Sequence, residues 1–362
     1  MRILQGLDRH RFEPTVACFV ATGPLHATAA ETARIELFPL RGHLFDRQGL
    51  AQLARYCRML RSERFDFVHT LSDRANVFGL IGCALTRQRR VVASQRTLDP
   101  VTDGFTQASP TLVWLSRMLF RRVTDRITVN NTWIAEHLKR VVRIPAERIR
   151  VIENGVDTER FAPRPGDPQL AAELDLPPDH LIVGIVARLT PRKGHRPLLE
   201  ALERFSPQER PVLIVAGEGP MSDEICAEVG RRGLGESVRR VGFIADPARL
   251  YNLFDVFCLP TTFAEGTPTA LIEALASGVP SVVSDLPQIR TVVKEGVTGL
   301  FVRSDRPEDI VGALRRLCSD GNLRRRLASE GRSLALRCHT LEAMVRNTQA
   351  VYEELTSGGE PR

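Results

Sequence analysis

Short apolar runs alternate with helical stretches along the chain, and the pattern starts afresh once. The first set of runs is "PTVACFV" (14–20), "FDFVHT" (65–70), "RVVAS" (90–94), "DRITVN" (125–130) and "RVIEN" (150–154). A segment bearing proline and glycine follows, "RFAPRPGDPQL" (160–170). The second set is "LIVGIVARL" (181–189), "PVLIVAGEG" (211–219), "VRRVGF" (238–243), "DVFCLP" (255–260) and "PSVVSD" (280–285). Runs this short, separated by helical spans, predict βαβ units, which force parallel sheets covered by helices on both faces. The expectation is an α/β chain of two doubly wound Rossmann-like domains with a boundary near 158–178. Residues 1–160 form the first domain, 161–339 the second, and 340–362 a last helix that follows the completed second sheet and is free to cross back to the first. In such folds ligands sit outside the carboxyl ends of the strands, so the cleft between domains is the default site.

Composition narrows the class. The chain has 362 residues, enough for two ordinary domains, and no run of uncharged apolar residues long enough to span a bilayer. The N-terminus "MRILQGLDRHRFEP" lacks the apolar core of a signal peptide, which predicts a cytoplasmic protein. Seven cysteines stand singly with no CxxC pair, and read as reduced and mostly buried. Net charge is +7, and it is uneven: positions 1–160 hold 25 Lys/Arg against 16 Asp/Glu, the remainder 25 against 27. A basic first half suits an anionic substrate or acidic lipid headgroups. Nucleic acid is disfavoured, because the arginines are dispersed and two Trp and three Tyr offer little base stacking.

The chemistry concentrates in the second half. In "FAEGTPTALIEALASG" (263–278), Thr267 suits an N-cap and Pro268 a first helical position, so a helix is expected to begin near Thr267 and to end at Gly278. No Glu or Gln stands at the capping-box position, which leaves N–H groups and the positive dipole end open to a phosphate. Glu265 lies outside the helix and Glu273 inside it, tilted back toward its mouth. The plain alternative is a surface helix with two solvated acids. After the run at 181–189, "VARLTPRKG" places Arg188 and Lys193 at a strand end, a fork and a point charge that together suit a departing diphosphate, or else a merely basic turn. "VAGEGP" (215–220) ends another strand with Gly217 and Gly219, which permit close backbone approach. Neither GxxxxGK[ST] nor GxGxxG is present, so ATPase and dinucleotide readings lose their main support.

Taken in order, "VIENGVDTERF" (151–161), "VARLTPRKG", "VAGEGP", "VGF" (241–243), "EGTPTALIEALASGVPSVVSD" with its two glutamates, and "GVTGLFV" (296–302) resemble the retaining glycosyltransferases of the GT-B fold in glycosyltransferase family 4, the group 1 glycosyl transferases. The resemblance covers nearly the whole chain. It implies transfer of a sugar from a nucleoside-diphosphate donor, UDP- or GDP-linked, with retention of configuration, no metal and no cofactor beyond the donor. By the same resemblance Arg188 and Lys193 hold the diphosphate, Glu265 the donor-sugar hydroxyls and Glu273 the ribose. Backbone groups from Gly266 through Thr267 and Pro268 to Thr269 line sugar and phosphates, and Phe243 and Ile244 border the base. The implied acceptor is a glycan or a lipid-linked sugar of cell-surface polysaccharide, lipopolysaccharide or glycolipid assembly, met on the inner face of the membrane.

The first half departs from the family pattern. His69 ends a strand, either as a cleft residue or as a satisfied structural histidine, and Arg96 stands where many relatives carry a cleft histidine. The stretch "TLVWLSRMLFRRV" (111–123), with Trp114, Arg117, Phe120, Arg121 and Arg122, reads either as a sheet-covering helix or as a membrane-surface one. Family members usually open with a strand and a glycine-rich loop before a segment like "LQGLDRHRFEPTVACF", so the resemblance predicts that a first central strand is missing ahead of Met1. Either the start is set too late or the chain is truncated, and the second keeps open a truncated non-catalytic sugar-nucleotide-binding protein; a sugar-nucleotide isomerase of the same fold is a separate alternative, which "RLTPRKG" matches poorly.

Overall fold

The structure, a computed structural model, describes residues 2–20, 29–40, 44–97, 110–178, 180–244, 246–262 and 266–357. The chain forms two compact units, Met1–Glu153 with Leu341–Arg362, and Asn154–Thr340.

In the second unit six parallel strands lie in the order β12-β11-β10-β7-β8-β9: β7 Ile182–Val186, β8 Val212–Ala216, β9 Val238–Gly242, β10 Val256–Leu259, β11 Ser281–Ser284 and β12 Leu300–Val302. β8, β10 and β11 are buried at every position, as strands covered on both faces must be. Helices such as His195–Glu203 and Thr269–Ala276 return the chain between strands, their buried leucines joining one core.

The unit begins at Asn154, earlier than the boundary expected at 160. The Val156 N–H donates to the His339 carbonyl (2.9 Å), and Val156 bridges Thr340, so the incoming and outgoing strands of chain are tied to each other. The proline- and glycine-bearing segment is no linker: Phe161 is buried in the core, and the Arg164 N–H donates to Asn252 Oδ1 at 2.8 Å. Proline and glycine there mark irregular backbone packed on a unit, which looks the same in sequence as a boundary.

The first unit departs further from expectation. One doubly wound sheet is expected, but β1 (Thr15–Cys18) pairs only with β2 (Arg34–Leu37), while β3 (Val68–Leu71), β4 (Val91–Gln95), β5 (Arg126–Val129) and β6 (Ile149–Val151) make a separate four-stranded parallel sheet. β1 and β3 therefore each keep an unpaired edge among the described residues, and β1 is half-buried where β4 is fully buried. Helices Arg47–Glu63 and Asp73–Thr86 cover the unit, the first capped by Asp46 accepting from the Gly49 N–H.

The last helix, Leu341–Ser357, belongs to this first unit. Met344, Val345, Thr348, Val351, Tyr352 and Leu355 recur at helical spacing and are buried, with Leu7 and Val92 sharing the cluster of Val351, Tyr352 and Leu355. Glu354 clamps it: Oε1 accepts from Arg126 Nη2 (2.7 Å) and Arg150 Nη2 (2.6 Å), on β5 and β6. Hydrogen bonding to Arg126, then to Arg150, holds the Glu354 carboxyl below the ordinary carboxylate value. A lowered folded value means that the clamp is complete above the unfolded value of about 4.3 and is lost as pH falls through the folded one. Glu354→Gln should therefore cost roughly 1 kcal/mol at neutral pH, after allowance for solvent screening, and flatten the acid limb of a stability-against-pH curve. Unfolding midpoints that track wild type from neutral to acid pH would show that the clamp carries no stability.

Among the described residues all seven cysteines are free. Cys57, Cys83 and Cys258 are buried, but Cys226 and Cys338 are exposed, against the expectation for lone cysteines.

Candidate functional site

Chain order in the six-stranded sheet reverses between β7 and β10, since β7 leads outward to β8 and β9, and β10 leads the other way to β11 and β12. The loops leaving the carboxyl ends of those two strands therefore diverge and open a crevice, the ligand site of doubly wound sheets. Residues that are far apart in sequence meet here.

The loop after β7 carries Arg188 and Lys193. Arg188 is exposed, and no side-chain partner holds it among the described residues; Lys193 is half-buried at the end of a short 3-10 turn, Pro191–Lys193. The loop is held from both sides. Toward β8, the Leu189 N–H donates to the Glu218 carbonyl and the Met221 N–H to the Leu189 carbonyl. Gly217, at φ +135°, and Gly219 lie so close to the Ala187 and Leu189 carbonyls that a Cβ at either would clash. The close approach permitted by these glycines is thus to the chain's own Arg188-bearing backbone. Toward β10, the Thr262 N–H donates to the Arg192 carbonyl (2.8 Å), and Gly194, at φ +76°, presses on the Pro260 carbonyl. His195, buried just beyond, has its pKa pushed down to about 4, by burial first and the charge of Lys193 second. It is neutral at physiological pH, which leaves Arg188, Arg192 and Lys193 as the cations of this loop.

The loop after β10 leads into the helix Thr269–Ala276, whose cap and first residue each fall one position later than expected. Pro268 (φ −67°, ψ 124°) is the N-cap and no side chain caps the mouth. Thr267, expected to be the cap, is buried, and its carbonyl instead accepts from Asn154 Nδ2 at 2.8 Å. Pro268 has no N–H, so the first amide donors of the helix begin at Thr269, and among the described residues no side chain caps them, as a phosphate seat requires. Glu273 lies in the second turn, 8% exposed, and its Oε2 accepts from the Tyr251 hydroxyl at 3.0 Å. That hydroxyl also lies 3.0 Å from the Ala270 carbonyl, and the fully buried Tyr251 thereby fixes the carboxylate against its own helix. Tyr251 and Asn154 are the residues that sequence reasoning missed. Both act through contacts distant in sequence, which no local motif announces. At the other end of the helix Arg332 donates to the carbonyls of Ala276 and Phe161, tying the start of the unit to the helix terminus.

At the carboxyl end of β9 Phe243 is 59% exposed and Ile244 half-buried beside it, an apolar platform on the same edge of the sheet. Glu265 lies outside the described residues. Gly266 is half-buried.

In the first unit His69 and Arg96 line one small pocket with Ser94, Thr128, Asn130 and Thr348, at the carboxyl ends of β3, β4 and β5. Both nitrogens of His69 are engaged, Nδ1 with the Tyr352 hydroxyl (2.7 Å) and Nε2 with the Ser94 hydroxyl (2.8 Å). Burial first, then the Arg96 charge, pushes its pKa down to about 3, so His69 is a neutral tie between β3, β4 and the last helix.

Among the described residues no group of three or more His, Cys, Asp or Glu is arranged to hold a metal ion. Among the same residues no helix is long and apolar enough to cross a membrane.

Comparison with known proteins agrees with this architecture. The family model described as "Glycosyl transferases group 1" matches residues 167–334, and that described as "Glycosyltransferase Family 4" matches residues 1–160. The chain is 30% identical over 299 residues to the D-inositol 3-phosphate glycosyltransferase of Kribbella flavida, covering 76% of this chain and 69% of the relative. It is 25% identical over 320 residues to the UDP-Gal:alpha-D-GlcNAc-diphosphoundecaprenol alpha-1,3-galactosyltransferase of Escherichia coli, covering 87% and 82%. Among solved structures, Anabaena Alr3699/HepE in complex with UDP and glucose superposes with a TM-score of 0.85 at 20% identity, covering 97% of this chain and 94% of the other. With two family models in succession along the chain and relatives that align over most of their length, the chain belongs to the group 1 glycosyl transferases of glycosyltransferase family 4, enzymes of the GT-B fold.

Proposed function

We propose that this enzyme transfers a sugar with retention of configuration from a nucleoside-diphosphate donor, UDP- or GDP-linked, to a glycan or lipid-linked acceptor of cell-surface polysaccharide, lipopolysaccharide or glycolipid assembly, working in the cytoplasm at the inner face of the membrane. The observation that carries this reading is the convergence of Arg188, Lys193 and the uncapped mouth of the helix Thr269–Ala276 at one switch point. A diphosphate leaves with negative charge, and two cations with a row of free N–H groups offset it as it develops. That supply of positive charge supports a metal-independent reaction, a role a divalent cation would otherwise fill. Glu273 takes the ribose, Phe243 and Ile244 border the base, and backbone groups of Gly266, Thr267, Pro268 and Thr269 line the sugar. Glu265 is assigned to the sugar hydroxyls by family resemblance alone. No side chain need act as a nucleophile when the acceptor enters on the face that the diphosphate vacates. HepE, solved with UDP and glucose, and the E. coli enzyme, named for UDP-Gal and a diphosphoundecaprenol acceptor, support a UDP-sugar and a lipid-linked acceptor.

The test is incubation with UDP-glucose, UDP-galactose or GDP-mannose in the presence of EDTA, with the product's anomeric configuration read by NMR. An α donor should give an α product, and Arg188→Ala should lower turnover by about a hundredfold, the loss of a charge-assisted contact made to the leaving group. UDP binding without turnover would point to a non-catalytic binding protein, free epimer to an isomerase, and dependence on added metal would remove the metal-independent step.

A further inference from the structure

The helix Pro110–Arg122 has two faces of different character. Val113, Ser116, Leu119 and Phe120 are buried against the first unit. Trp114, Arg117, Met118 and Arg121 follow at spacings of three and four, so they share the opposite face. With Arg122 and with Val141 and Arg143 they line a surface groove. Trp114 is 67% exposed and Val141 46%. No carboxylate among the described residues pairs with the side chains of Arg121, Arg122 or Arg143, while the nearby Lys139 and Arg140 share one acid, Glu136.

The place of the groove matters. The helix Pro110–Arg122 leads into the start of β5, and the turn Leu138–Val142 with Arg143 leads toward the start of β6; the exposed Arg87 and Arg89 precede β4 in the same way. Much of the first unit's positive excess therefore lies along the amino edge of the four-stranded sheet, opposite the carboxyl edge where His69 and Arg96 line their pocket. A ligand of the strand ends does not account for it. An exposed indole beside unpaired guanidinium groups suits the boundary of a bilayer, where the ring enters the headgroup layer and arginine meets lipid phosphate. Two exposed apolar side chains are too few for the dry centre of a protein interface, which is depleted in charge.

We propose that this groove docks the enzyme on an anionic lipid bilayer, with Trp114 and Val141 inserted shallowly and Arg121, Arg122 and Arg143 on lipid phosphates. The docking surface is separate from the donor crevice, and its test needs no turnover. The full-length protein is sedimented with phosphatidylcholine vesicles with and without phosphatidylglycerol, and Trp114 emission is followed in a Trp133→Phe background. Wild type should bind only the anionic vesicles, with a blue shift. Each arginine is expected to contribute about fivefold, so the triple variant R121E/R122E/R143E should bind on the order of a hundredfold or more weakly. Trp114→Ala should weaken binding too, with both variants keeping the wild-type unfolding midpoint. Unchanged binding by the triple variant, equal binding to neutral vesicles, or unmoved Trp114 emission would each overturn the proposal. So would a blue shift of the same size with inorganic phosphate, which would make the groove a phosphate pocket.

Discussion

Replacing Lys193 with alanine is expected to weaken UDP binding by about two orders of magnitude, with the thermal unfolding midpoint and circular dichroism close to wild type. The side chain is half-buried on a loop whose backbone is held by hydrogen bonds to neighbouring loops on both sides, so its loss removes charge from the crevice and leaves the scaffold standing. Arg188→Ala should act in the same direction, and the loss should shrink as salt is raised, because part of the attraction is screened. Glu273→Gln separates the other half of the site. It keeps the volume and an oxygen for the Tyr251 hydroxyl but removes the carboxylate, so UDP should weaken strongly while inorganic diphosphate, which has no ribose, binds as before. Calorimetry with both ligands reads the two effects. Wild-type UDP affinity in Lys193→Ala and Glu273→Gln would remove the site from this crevice.

The second unit was legible because its information is local. Parallel strands buried on both faces read as continuous apolar runs, and the cations, glycines and glutamate of the crevice each stand just beyond such a run or in the helix after it. What was illegible depends on distant partners. Thr267 looked like a cap until the Asn154 amide, from the first residue of the unit, took its carbonyl. Tyr251 is an unremarkable residue in "RLYNLF" until its hydroxyl meets Glu273. In the first unit β2 is a four-residue, half-exposed "RIEL" with no apolar run to mark it, and pairing between strands, which splits that unit's sheet in two, leaves no trace in composition. The helix Pro110–Arg122 shows the same limit: its sequence left open which apolar residues face inward, and only packing separates buried Phe120 from exposed Trp114.

Gly194→Ala tests whether the crevice is built by contact between the two loops. Gly194 and Gly233 have nearly the same left-handed backbone, φ +76° and +63°, so alanine at either costs about 1–2 kcal/mol in conformational strain. Their surroundings differ: nothing lies within 4 Å of a Cβ built at Gly233, whereas one built at Gly194 meets the Pro260 carbonyl, a backbone atom that cannot swing aside. To admit the methyl group, the loop after β7 has to move away from the segment after β10, which breaks the Thr262 to Arg192 hydrogen bond and carries Lys193 with it. Gly233→Ala should therefore lower the unfolding midpoint by a few degrees and leave UDP binding intact. Gly194→Ala should lower the midpoint further and weaken UDP binding by about tenfold or more, because a cation displaced by an ångström loses its contact with phosphate. Equal midpoints and equal affinities in the two variants would mean that the loops do not hold each other, and that Lys193 is placed by its own turn alone.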